Sequence, residues 1–158
     1  MRFSIGIDLG GTNIKTGLVS ESGEIIHCIT TPTNAHSGEK AIASRIGKAI
    51  CQLVDQGKSF SVDQQDIVGI GIGSAGLIEP KEGVVHFSPN FAGWYDIPLA
   101  DLVKANLAHD STNCKISALP IVLENDGNAM AFGELCHGAG VGVKNLVCLT
   151  LGTGVGGG

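Results

Sequence analysis

An apolar run, Ile121 to Leu123, passes into Glu124-Asn125-Asp126 and then into Gly127-Asn128-Ala129-Met130-Ala131. The run reads as the end of a buried strand and the residues after it as the start of a helix. Such junctions are where open α/β sheets place their ligands. A carboxylate at that point can take the proton of a hydroxyl group as it attacks a phosphate. A helix N-terminus favours negative charge there. Asp126 is therefore the candidate general base. Asp126 or its neighbour Asn125 also reads as a helix N-cap, and capping is compatible with catalysis.

Two glycine-rich turns could hold the phosphates. In Asp8-Leu9-Gly10-Gly11-Thr12-Asn13, adjacent glycines let backbone N–H groups turn inward around anion oxygens, with Thr12 and Asn13 adding side-chain donors. Asp8 is placed to hold Mg²⁺ through water. The pattern is neither a Walker A loop nor the Rossmann glycine motif, and a plain hairpin turn accounts for it equally well. The second loop, Gly152-Thr153-Gly154-Val155-Gly156-Gly157-Gly158, follows another apolar run; by itself it also reads as a flexible tail. A third stretch, Ser88-Pro89-Asn90-Phe91-Ala92-Gly93-Trp94, carries an amide able to bind two adjacent hydroxyls. The competing reading is a Pro-Asn turn with Trp94 pinning the loop to the core. Gly71 to Gly76 either brings backbone close to a ligand or allows tight packing. Glu134 reads as structural. The five histidines have no ligand spacing.

The elements that position these residues follow from periodicity. Phe3 to Leu9, Asn13 to Ser20 and Glu24 to Thr31 read as strands joined by short turns, hence antiparallel, and Pro32 ends the meander. Ile42, Ile46, Ala49, Ile50 and Leu53 recur at helical spacing, which predicts a helix over 39–56 with Gly57 at its end. Asp66 to Gly73 and Leu119 to Glu124 are parallel strands reached by crossovers. Ser74 to Tyr95 is a long loop region with room for a hairpin at Glu82-Gly83. Pro98 starts a short helix to about Ala108, a helix runs from Gly127 to about His137, and Lys144 to Leu151 is a last strand. The order gives a mixed five-stranded sheet with flanking helices.

Composition narrows the classes. The chain has 158 residues, 43% hydrophobic and 16% charged, which suits one globular domain. A formal net charge of −5 argues against nucleic acid or an acidic membrane as the main partner. There are 24 glycines, roughly twice the usual share, clustered at the ends of apolar runs. Cys28, Cys51, Cys114, Cys136 and Cys148 show no CxxC spacing, which reads as reduced thiols in a cytoplasmic protein. The N-terminus meets an acid too early for a signal peptide, and no apolar run approaches the ~20 residues of a membrane span.

Together these pieces resemble the ROK family of sugar kinases, on the actin-like (ribonuclease H-like) ATPase fold. The matching stretches are Asp8 to Lys15, Gly71 to Glu79, Pro89 to Trp94, Glu124 to Glu134 and Leu149 to Gly158. The resemblance implies ATP with Mg²⁺, a hexose or N-acetylhexosamine acceptor and Asp126 as base. It implies Gly76, Asn90, Asn125 and Asp126 around the sugar. Gly10, Gly11, Thr12, Asn13 and Lys15 would hold ATP phosphates together with Gly152, Thr153 and Gly154. Ala75 stands where many members have proline, which bears on the sugar side of that loop. Family members continue into a second domain with the adenosine site, a zinc cluster and further sugar contacts. On this reading residues 1–140 form the N-terminal domain and 141–158 the link into a second one. Zinc is expected only there, and the longer protein is expected to be a homodimer. Glucose is the first choice of acceptor. An N-acetylmannosamine or N-acetylglucosamine kinase, a sugar-sensing repressor of the same family and a chaperone-like ATPase are the competing readings.

Overall fold

In β1 (Phe3–Leu9) the odd-numbered residues Phe3, Ile5, Ile7 and Leu9 are buried and the residues between them are not, the period of a strand with one face on a core. β2 (Asn13–Ser20) turns Ile14, Thr16 and Leu18 to the same core, and β3 (Ile25–Pro32) completes an antiparallel meander. The computed structural model describes residues 1–109, 115–151 and 155–158.

Helix α1 (Glu39–Gly57) starts after Gly38 and lays Ile42, Ile46, Ile50, Leu53 and Val54 on the sheet. Each such side chain contributes roughly 1.5–3 kcal/mol by leaving water. The chain returns as β4 (Ile67–Ser74), parallel to β1. Strands β5 (Leu77–Glu79), β6 (Val84–Phe87) and β7 (Tyr95–Ile97) then form a separate antiparallel sheet. Helix α2 (Leu99–His109) packs on α1, where Gly47 lets Asn106 approach closely. β8 (Ile121–Asn125) pairs parallel with β4 and leads directly into α3 (Asp126–His137). The order of the main sheet is β3-β2-β1-β4-β8, with β1 to β3 antiparallel and β4 and β8 parallel to β1, as the periodicity implies.

Two regions differ from expectation. The stretch 74–95 holds the hairpin expected at Glu82-Gly83, formed by β5 and β6, but that hairpin is part of a small sheet that β7 completes. Its strands are three or four residues long, too short to show a period, and Val85 ties it to the core. Lys144 to Leu151 is not one strand. Only Leu149–Leu151 (β9) is paired, with β10 (Val155–Gly157), and Cys148 and Gly158 exchange both backbone bonds to extend the ladder. Before it, the chain is bent by Gly142 (φ +87°) and by turn bonds from Val141 and Val143 to Gly138 and Gly140. An apolar run becomes a strand only where an edge accepts it, and here the available edge is β10.

The two faces of the main sheet are unlike. Helices α1 and α2 cover one. Among the described residues the other carries α3, whose one buried residue is Gly127, with Thr150 at its edge. Across the middle of this open face Gly17, Gly6 and Gly71 stand side by side in register, between Cys28 and Val122. A Cβ on Gly71 would meet nothing within 4 Å.

Candidate active site

The C-terminal ends of β1, β4 and β8 come level. Asp8 lies beside Gly73, and Gly73 beside Glu124; one residue on, Leu9, Ser74 and Asn125 share a row. A groove of about 1030 Å³ runs between the open sheet face and α3, and Asp8, Lys15, Glu124, Asp126, Asn128 and Thr150 line its polar end. Space beside Gly73 is limited: a Cβ there would lie 3.6 Å from Asp126 Cα and 3.7 Å from Ala129 Cβ, ordinary contact that admits a methyl group. Any larger side chain would lift the start of α3 off the sheet.

The N-cap of α3 is Asn125. Its Oδ1 accepts from Gly127 N at 2.9 Å and Asn128 N at 3.2 Å, satisfying two of the donors a helix start leaves open. Its Nδ2 donates to the Gly76 carbonyl at 3.1 Å. Asp126 is the first helical residue. Its Oδ1 accepts from Gly127 N at 3.0 Å, and Oδ2 has no hydrogen-bond donor among the described residues. The carboxylate is exposed to the groove.

Gly76 sits at φ +130°, where a Cβ would come 2.1 Å from the Phe87 carbonyl oxygen. Backbone thus touches backbone, and the loop after β6 is seated on the turn after β4. That loop buries Phe91 and Trp94, with ring centroids 4.4 Å apart, so Trp94 does pin it to the core. Asn90 is left exposed and lies beside the first glycine turn: a Cβ on Gly11 would be 3.4 Å from Asn90 Cβ.

The glycine turn is closed by Gly10 N donating to Asn13 O at 3.0 Å. The N–H groups of Gly11 and Thr12 remain open to an anion. The buried Thr33 holds the turn from behind, donating Oγ1 to Gly10 O at 2.6 Å and its N–H to Thr12 O at 2.9 Å. Arg45 of α1 donates to the Thr33 carbonyl. Neither Thr33 nor Arg45 stands out in the sequence, because both act across a long separation. Lys15 Nζ pairs with Asp8 Oδ2 at 3.2 Å, both side chains being more than half exposed; such a pair adds little to stability.

Gly76, Asn125 and Asp126 therefore lie together, and Asn90 joins them through Ser88, whose Oγ accepts from Asn90 N at 3.3 Å and whose Cα faces Gly76; Gly11 of the glycine turn Gly10-Gly11-Thr12-Asn13 lies against Asn90. Asp8 and Lys15 reach the groove from β1 and β2. Gly152, Thr153 and Gly154 lie outside the described residues, as does Cys114. The strands that flank that loop are nevertheless anchored at the site. The backbones of Gly157 and Gly158 lie directly on Gly127, so close that a Cβ on Gly158 would be 2.2 Å from the Gly127 oxygen.

The donor set suits an anion better than a bare cation. No group of three or more His, Cys, Asp or Glu among the described residues is placed to hold a metal. Asp8, exposed at the end of β1, is a carboxylate that would reach a hydrated cation such as Mg²⁺. No helix among the described residues is long and apolar enough to cross a membrane.

A profile of the ROK family matches residues 4–158. The glucokinase of Thermotoga maritima is 40% identical over 154 residues, which are 98% of this chain and 43% of that protein. The glucokinase of Streptomyces coelicolor is 39% identical over 160 residues, 100% of this chain and 43% of that one. Among solved structures, a ROK family glucokinase from Streptomyces griseus in complex with glucose and AMPPNP superposes with a TM-score of 0.78 at 35% identity, covering 98% of this chain and 43% of the other. The chain spans less than half the length of each of these relatives. The shared architecture is the actin-like ATPase fold, with the mixed sheet described above.

Proposed function

Because the chain belongs to the ROK family, we propose that it is the N-terminal half of an ATP-dependent hexose kinase with a glucose-like acceptor and Asp126 as general base. The observation that carries this reading is the contact path from Gly11 to Asn90, through Ser88 to Gly76, and from Gly76 to Asn125, the residue before Asp126. On this reading the free carboxylate oxygen, the two amide side chains and the glycine turn serve one sugar–phosphate site.

Each residue has a task in that space. Asp126 Oδ2 takes the proton of the attacking hydroxyl. Asn90 orients neighbouring hydroxyls, and the second hydrogen of Asn125 Nδ2 supplies one more donor, since its Oδ1 is filled by the helix start. The open N–H groups of Gly11 and Thr12, with the side chains of Thr12 and Asn13, cradle phosphate oxygens. Lys15 offsets their charge, and Asp8 orients the water shell of Mg²⁺. Bound ATP supplies the phosphoryl group, and positioning with charge stabilisation does most of the catalytic work. The loop of Gly152, Thr153 and Gly154 is assigned to the phosphates as well.

Residues 1–140 are then the first domain and 141–158 the link to a second. The open glycine-bearing sheet face is a surface that further chain could cover. The adenosine site and the zinc expected of the longer protein belong to that second part. Its dimerisation and its cytoplasmic location are further parts of this reading. The 158-residue chain alone is expected to bind sugar weakly and not to turn over.

The test is sugar-dependent ADP production with Mg²⁺ and ATP, by the longer polypeptide and by this chain, across glucose, mannose, fructose, N-acetylglucosamine and N-acetylmannosamine, with Asp126→Asn beside them. Glucose should drive ADP release by the longer protein, and the substitution should abolish it. ADP release indifferent to sugar, or an Asp126→Asn protein with full activity, would sink the proposal. An N-acetylhexosamine as the sole effective acceptor would reassign the substrate and keep the base.

A further inference from the structure

The strand-to-helix junction carries a device that neither motif nor resemblance assigns. Glu124 Oε1 accepts two hydrogen bonds, from the backbone N–H of Asn125 at 2.8 Å and from Asn128 Nδ2 at 3.1 Å. In an ordinary capping box the third helical residue reaches back to the N-cap N–H by itself. Here that third residue is Asn128, whose amide does not take the N-cap N–H but donates its Nδ2 to Glu124 instead. Glu124, which precedes the N-cap, is the acceptor that joins the two. The cap proper is Asn125, which holds Gly127 N and Asn128 N.

We infer that Glu124 and Asn128 are positioning residues: their carboxylate–amide latch fixes where β8 stops and α3 begins, and so where the Asp126 carboxylate points. The inference rests on the assignment of Asp126 as base. The geometry supports it in three ways. Leu123 is buried in the core, so alternation along β8 puts Glu124 on the open face, on the groove side where Asp126 also lies. The latch ties Asn125 and Asn128, one on each side of Asp126, without using the Asp126 carboxylate itself. And α3 has little else to hold its start, since Gly127 is its one buried residue. A helix so lightly packed depends on its first turn for direction. A misplacement of about 1 Å at a reacting group can cost roughly 10²-fold in rate.

The bond pattern separates this role from a direct one. A glutamine at 124 keeps an oxygen to accept from Asn125 N and loses the charge. If Glu124 only positions, Glu124→Gln in the longer polypeptide should keep kcat within about 3-fold, whereas Glu124→Ala should lower kcat by roughly 10–100-fold with the sugar KM changed less than about 3-fold. Asn128→Asp, which sets a second acceptor against Glu124, should lower kcat as Glu124→Ala does. Adding Glu124→Gln to it should restore activity, because the new amide hydrogen can donate to the introduced carboxylate. Equal losses in Glu124→Gln and Glu124→Ala would overturn the inference in favour of a charge that meets substrate or metal. So would wild-type kcat in Glu124→Ala while Asp126→Asn is inactive. A wild-type protein without sugar-dependent ADP release would overturn the kinase reading, and this inference with it.

Discussion

Replacing Gly76 by alanine tests whether the turn after β4 and the loop after β6 are one rigid unit. The new Cβ would lie 2.1 Å from the Phe87 carbonyl oxygen and 3.0 Å from Ser88 Cα, on a backbone at φ +130°. An ordinary carbon–oxygen contact is more than about 1 Å longer, so backbone must move, and overpacking of that kind costs roughly 1–3 kcal/mol. The strained φ adds about 1 kcal/mol. The Gly76 carbonyl would be pulled from Asn125 Nδ2, a loss of about 1 kcal/mol. The total is about 3–5 kcal/mol, a large part of the roughly 5–15 kcal/mol that stabilises a domain. Gly93 is the control. It has φ +78° with nothing within 4 Å of its Cβ position, so Gly93→Ala should cost about 1 kcal/mol from backbone conformation alone. Urea and thermal unfolding of both variants should show Gly76→Ala lower by about 2–4 kcal/mol, a midpoint lower by roughly 4–16 °C at this chain length. If the two variants lie within about 0.5 kcal/mol of each other, the close seat of the loop on Gly76 is wrong, and with it the path from Asn90 to Asn125.

Three more substitutions discriminate. Asn125→Ala should cost about 2 kcal/mol in urea unfolding, from the lost cap and the lost bond to Gly76; Asn125→Asp, which keeps the acceptors for Gly127 N and Asn128 N, should cost about half as much. Lys15→Ala should leave stability within about 0.5 kcal/mol, since its pair with Asp8 is exposed; a rise of about tenfold or more in KM for Mg-ATP in the longer polypeptide would mark Lys15 as a phosphate contact, and an unchanged KM would remove it from the site. Gly71→Val should be neutral or stabilising by up to about 1 kcal/mol in the 158-residue chain, where its side chain meets open space. In the longer polypeptide the same change should cost about 1–3 kcal/mol if further chain packs on the glycine row, and equal thermal shifts in both would show that the face stays open.

The parts of this protein that periodicity alone determined are those with local causes. Alternation marks β1 and β2, a continuous apolar run marks β4, and a 3.6-residue repeat marks α1, because each pattern is written within one element. Asn125 and Asp126 were legible as a strand-to-helix junction for the same reason. Tertiary structure decided what joins elements far apart in the chain. Strands of three residues such as β5 and β9 have no period to read and exist because an edge accepts them. Thr33 behind Gly10, Asn90 beside Gly11 and the Asn125 amide on Gly76 are contacts across 23, 79 and 49 positions. The row of Gly17, Gly6 and Gly71 appears only once three strands are paired, since a shift of one residue in any of them would scatter it. Residue types and local spacing supply the chemistry and the elements, while register and close approach between distant segments bring that chemistry to one place.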